Sequence, residues 1–140
     1  MINKQDEFKI TEAIKTAEKQ SSGEIMVHYE TAWAGDPYQR AVHWFHKLEM
    51  HKTDQRNGVL IYLIEKQKRF AIVGDAGIHA KVKQEFWDST SAIMSDHFKS
   101  GRLTEGLCTA IAHVGEALAQ YFPYDDKVDR NELPDQVSHS

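Results

Sequence analysis

The chain has 140 residues, 41% of them hydrophobic and 27% charged, with a formal net charge of −4, so it can bury roughly 70% of its unfolded surface around one core. This ordinary composition excludes a wholly disordered or membrane-embedded body. The acidic balance, with no Lys/Arg cluster interleaved with aromatics, argues against nucleic acid as a partner.

In chain order, Ile10, Ala13, Ile14 and Ala17 recur at helical spacing and predict a first helix from Phe8 to Lys19, broken by Ser21-Ser22-Gly23. Glu24 to Glu30 alternates, with Ile25, Val27 and Tyr29 on one face, which predicts a strand. Asp36-Pro37 reads as an N-cap followed by proline at the first helical position, and the second helix runs to about Met50. Val59 to Ile64 is continuously apolar, as in a strand buried on both faces. Arg69 to Val73 returns antiparallel to it after a short polar turn. The turn Gly74-Asp75-Ala76-Gly77 then feeds a third helix outlined by Ile78, Val82, Phe86, Ile93 and Phe98 and closed by Ser100-Gly101. Thr104 is expected to cap a fourth helix, striped by Leu107, Ile111, Val114, Leu118 and Tyr121 and ended by Pro123. The domain therefore spans residues 1–124. The acidic remainder, 125–140, is nearly free of apolar residues and is expected to be a flexible tail.

The N-terminus lacks the basic start and apolar stretch of a signal peptide. The run Val59 to Ile64 is far too short for a membrane helix. The lone cysteine, Cys108, makes no internal disulfide and reads as core filler on the fourth helix. A monomeric cytoplasmic protein without membrane insertion is expected.

The first strand, second helix and second strand form a βαβ unit, so these strands should run parallel. The loops at Ser21 to Gly23, Thr53 to Gly58 and Gly74 to Gly77 then share one end of the sheet. That end gathers Glu24, Asp54, Asn57 and Asp75, oxygen donors suited to hard cations such as Ca²⁺ and Mg²⁺. Convergent carboxylates repel each other unless a cation or protons intervene. The start of the third helix, with its unpaired N–H groups, offers a place for a phosphate oxygen. The plainer readings make Asp75 a helix cap, Asp54 and Asn57 turn formers, and Glu24 an exposed strand-end residue. His43, His46 and His51 have a spacing that can hold zinc, but no remaining ligands are evident. Gly74-x-x-Gly77 is half of a dinucleotide fingerprint and lacks the rest.

The segments Ser22-Gly23-Glu24-Ile25, Asn57-Gly58-Val59-Leu60-Ile61-Tyr62, Arg69 to Gly77, Phe98-Lys99-Ser100-Gly101 and Gly106-Leu107 resemble the TPM domain family over roughly residues 5–122. The resemblance implies a three-layer α/β/α sandwich around a small mixed sheet. It also implies an acidic crevice for divalent cations, calcium the usual one, and an acid-phosphatase assignment that is contested for some members. The family's Asn-Gly before the central strand is Asn57-Gly58. Its strand-end Gly-x-Gly is represented by Gly74 and Gly77 with one extra residue between them. The secretion signal, paired aspartates and C-terminal membrane helix of many members are not seen. The leading expectation is thus a calcium-binding module. A metal-dependent phosphomonoesterase, for which no residue is compelling as nucleophile or base, and an adaptor working through the Trp33 loop or the tail are the alternatives.

Overall fold

The computed structural model describes residues 2–124 and 137–140. Helix α1 (Lys4–Glu18) starts four residues before the apolar pattern does, because Asn3 and Asp6 form a reciprocal capping box. Strand β1 (Glu24–Glu30) follows, then α2 (Pro37–Lys47), whose first turn is capped by Asp36 accepting from the Gln39 N–H at 2.9 Å. Glu49 then takes a left-handed backbone, φ 60°, and Met50–Lys52 form a 3₁₀ turn rather than the end of α2.

Strands β2 (Gly58–Ile64) and β3 (Arg69–Gly74) form the hairpin, and α3 (Ala76–Lys99) leaves it directly. The backbone of α3 is not continuous: Lys83, at φ 62° and ψ −179°, separates two helical pieces. Gly101, at φ 74°, supplies the left-handed turn that closes the helix. Helix α4 (Leu103–Tyr121) is preceded by Arg102, so Thr104 lies inside the first turn and is not its cap.

The sheet order is β3-β2-β1-β4, with β1 parallel to β2 and β2 antiparallel to β3. Strand β4 (Val137–His139) corrects the expectation of a tail through residue 140: these residues pair parallel with β1. Apolar content was the wrong guide there. Val137 packs on the core, His139 stacks on Tyr29 at 5.5 Å, and the Ser138 and Ser140 hydroxyls meet the His28 ring at 2.8 and 3.1 Å. The rest of the expected tail, 125–136, lies outside the described residues.

Two apolar layers sandwich the sheet. Ile25, Val27, Val59, Ile61, Leu63 and Ile72 face α1, α3 and α4. Met26, Leu60, Tyr62, Ile64, Ala71 and Val73 face Ala41 and Phe45 of α2. The period of two along each strand serves both layers, so β2 is apolar throughout. This is the three-layer α/β/α sandwich with a mixed sheet. No helix among the described residues is long and apolar enough to cross a membrane.

Candidate cation site

The three loops meet at one end of the sheet. Gln55 Nε2 donates to Ser22 Oγ at 3.0 Å and Asn57 Nδ2 to the same hydroxyl at 3.3 Å, joining the loops before β1 and β2. The Asp75 N–H donates to the Gly58 carbonyl at 2.9 Å and brings in the turn after β3. Gly77 allows this closeness: a Cβ there would lie 2.1 Å from the Gln55 carbonyl oxygen and 2.6 Å from that of Arg56.

The four candidate ligands fare differently. Glu24 is buried, not exposed, at the first residue of β1. Asp54 lies on the surface of the loop. Asn57 is buried, its N–H donating to Thr53 Oγ1 at 3.2 Å, and its Oδ1 atom has no hydrogen-bond partner. Asp75 is buried and already compensated. Arg56 grips it through two parallel bonds, Nε to Oδ2 at 2.7 Å and Nη2 to Oδ1 at 2.8 Å. Hydrogen bonding to this carboxylate pushes the guanidinium further into its charged form. Among the described residues no three His, Cys, Asp or Glu side chains converge as a metal-holding group.

Arg56 was not singled out from the sequence, and it changes the electrostatics of the crevice. The carboxylate expected to await a cation has a guanidinium in hand. The phosphate cradle expected at the start of α3 is filled by the protein itself. Asp75 Oδ1 takes the Ala76 N–H at 2.8 Å, and the Arg56 carbonyl takes those of Gly77 and Ile78 at 2.8 and 3.3 Å. Arg56 has a left-handed backbone, φ 52°, and both its carbonyl and its side chain engage the start of α3.

A second polar cluster lies at the opposite end of the sheet and was not read from the sequence. Glu30 Oε1 accepts from Arg40 Nε, Trp44 Nε1 and Tyr62 Oη at 2.7, 2.9 and 2.7 Å, and Oε2 from Arg40 Nη2 at 2.9 Å. Burial alone would raise the Glu30 carboxyl, but these bonds outweigh it and hold the group down to about 2. His28 lies against Trp44, ring centroids 4.2 Å apart, and burial lowers its pKa to about 4. Both carboxylate oxygens of Glu30 are engaged by donors of the fold, so this cluster ties α2 to the sheet.

The other expected features resolve simply. The Trp33 ring lies under the Arg40 guanidinium at 3.7 Å and its carbonyl accepts from Gln67 Nε2 at 2.9 Å. The His46 and His51 rings are 5.0 Å apart, while His43 lies against Trp44. Cys108 is half-buried, and burial raises its thiol pKa.

Comparisons with known proteins agree with this architecture. The model of the TPM domain, labelled as a TPM phosphatase, matches residues 1–117. The BA42 protein of the psychrophilic bacterium Bizionia argentinensis, solved by NMR, is 41% identical with a TM-score of 0.91, over 100% of this chain and 96% of that one. The N-terminal domain of a P. gingivalis protein is 18% identical at TM-score 0.67, covering 89% and 82%. The N-terminal domain of the cg2496 protein of Corynebacterium glutamicum is 14% identical at the same score, covering 84% and 74%. No curated protein matches the chain. With the family model spanning most of its length and a 41% identical relative sharing its fold from end to end, the chain belongs to the TPM domain family.

Proposed function

We propose that this chain is a divalent-cation-binding domain of the TPM type, and that calcium is its ion. The observation that carries the reading is Asn57 Oδ1, a buried carbonyl oxygen without a partner at the meeting point of three loops. Leaving such an acceptor unpaired costs about 1–3 kcal/mol, and a hard cation is a ligand that an uncharged carbonyl oxygen suits. Calcium takes six to eight oxygens. Beside Asn57 Oδ1, the oxygen donors carried at this end of the sheet are the carboxylates of Glu24, at the start of β1, and Asp54, on the loop before β2. Asp75 joins the set only by exchanging Arg56 for the cation. Arg56 thus serves as a resident counter-ion that keeps the crevice folded without metal and competes with it.

Calcium titration followed by amide NMR tests the proposal. Shifts concentrated at Gly23, Asn57 and Asp75, abolished by Asn57→Leu and strengthened by Asn57→Asp and by Arg56→Gln, are expected. Shifts scattered over the surface, or unchanged by these substitutions, would refute it. The phosphatase reading gains no support from the geometry, since the first N–H groups of α3 already have acceptors within the chain.

A further inference from the structure

The outer edge of β3 is the floor of an open slot. In the β2–β3 ladder, the Asp75 N–H to Gly58 bond fixes which residues face each other with exchanged bonds. Stepping by two through the register gives Val73 with Leu60, Ala71 with Tyr62 and Arg69 with Ile64. The N–H and C=O groups of Phe70, Ile72 and Gly74 therefore point away from β2, and no described residue takes any of them up. Above this row lies a cavity of about 510 Å³, with Pro37 and Tyr38 of α2 on one wall and Gln84, Trp87 and Ser91 of α3 on the other. It continues past Tyr38 and Trp87 into about 300 Å³ beside Gly74 and His79. Two features hold the walls. Gly74 has no Cβ because one would lie 2.2 Å from the Trp87 ring, and Trp87 Nε1 donates to His79 Nδ1 at 3.0 Å.

We propose that this slot binds an extended acidic peptide of another protein, which adds to β3 as a fifth strand of the sheet. Three outward-facing residues accommodate a strand of about five residues, roughly 17 Å long. Its alternate side chains would fall against Tyr38 on one side and Trp87 on the other. The charge preference follows from the lining. Lys68 and Arg69 stand exposed at one end, and no described residue forms a salt bridge with either. The one lining carboxylate, Asp36, is engaged in capping α2. A second copy of the chain is a poorer fit. Strands pair at about 4.8 Å, and the walls on both sides of one edge would meet those of the other copy before the strands could approach.

The test uses the isotopically labelled chain with two capped probe peptides, acetyl-DEVTVT-amide and acetyl-KKVTVT-amide. The acidic probe is expected to slow hydrogen exchange at the amides of Phe70, Ile72 and Gly74 and to bind more tightly than the basic one. The exposed Arg69→Glu variant, its spectrum otherwise unchanged, is expected to weaken the acidic probe about tenfold and to reverse the preference. Absence of protection at those three amides overturns strand addition. Equal binding of the two probes overturns the charge assignment. Protection that rises with chain concentration in the absence of peptide overturns the proposal in favour of self-pairing.

Discussion

The substitution Gly77→Ala probes the joint on which the crevice depends. The added methyl would sit 2.1 Å from the Gln55 carbonyl oxygen and 2.6 Å from that of Arg56, about 1 Å inside ordinary C···O contact. Both obstacles are backbone atoms, so the loop as a whole must withdraw from α3. Its withdrawal breaks the bonds from the Gly77 and Ile78 N–H groups to Arg56 O. Each donor left unpaired costs about 1–3 kcal/mol, the lower figure where water reaches it. The sum is about 2–6 kcal/mol, a large share of the 5–15 kcal/mol typical of a domain. For a chain of this size that lowers Tm by roughly 7–20 °C. Urea unfolding should show a lower midpoint with an unchanged slope. Gly101→Ala is the control: its φ of 74° makes it strained, but nothing lies within 4 Å of the new methyl, and about 1 kcal/mol is expected. A Gly77→Ala variant within 1 kcal/mol of the parent would refute the claim that the loop backbone closes directly on the helix start.

Further outcomes are expected at the other end of the sheet. Because the Glu30 carboxyl is held down to about 2, well below its unfolded value near 4.3, it contributes stability that is complete above about pH 5. That contribution is lost as pH falls toward 2. Glu30→Gln should remove this acid limb and, by setting an amide NH₂ against one or more of the four donors that face the carboxylate, destabilise the fold by about 2 kcal/mol at pH 7, measured by denaturant unfolding across pH. His28, lowered to about 4 by burial, is neutral in the fold when the unfolded ring is half-charged near 6.5. Stability should fall as pH drops from about 6.5 to 4, and His28→Phe should flatten that slope. Removing residues 137–140 takes away the hydroxyls on both His28 ring nitrogens and the nearby His139. The ring is expected to titrate closer to 6.5 in that variant, read by NMR.

The sandwich was legible because its signals are periodic and local. Ile25, Val27 and Tyr29 do share the face that packs on α1, α3 and α4, and the apolar run of β2 is buried on both sides. The antiparallel return of β3 followed from a polar turn too short for a crossover. Features without such a pattern escaped, three of them in particular. The start of α1 rests on the Asn3 and Asp6 capping box, which carries no apolar residue. Strand β4 is held by one valine, an aromatic stack and two serine hydroxyls, none of which register as hydrophobic pattern. The break at Lys83 is a backbone event within a segment whose side chains still repeat at helical spacing.

The candidate site was half legible. Chain direction correctly brought Ser22, Asn57 and Asp75 to one end, because βαβ handedness and a hairpin leave little choice. What oxygen counting could not supply was the counter-ion. Arg56 sits in the same loop as Asp54 and Asn57, yet its pairing with Asp75, 19 residues away on another element, is a tertiary contact that no local pattern encodes. Glu30 was passed over for a related reason. Its partners Arg40, Trp44 and Tyr62 lie 10 to 32 residues away, on elements whose relative rotation no local pattern encodes.

The late strand β4 has a consequence for how the fold assembles. Its contacts with β1 span about 110 residues, whereas the β2–β3 hairpin and the α3–α4 pair close over short stretches. Long loops are the costliest to close and the slowest to form. A growing polypeptide delivers all the other elements first. Until Val137 to His139 pair with it, the far side of β1 is an open strand edge, the kind of surface most exposed to mispairing.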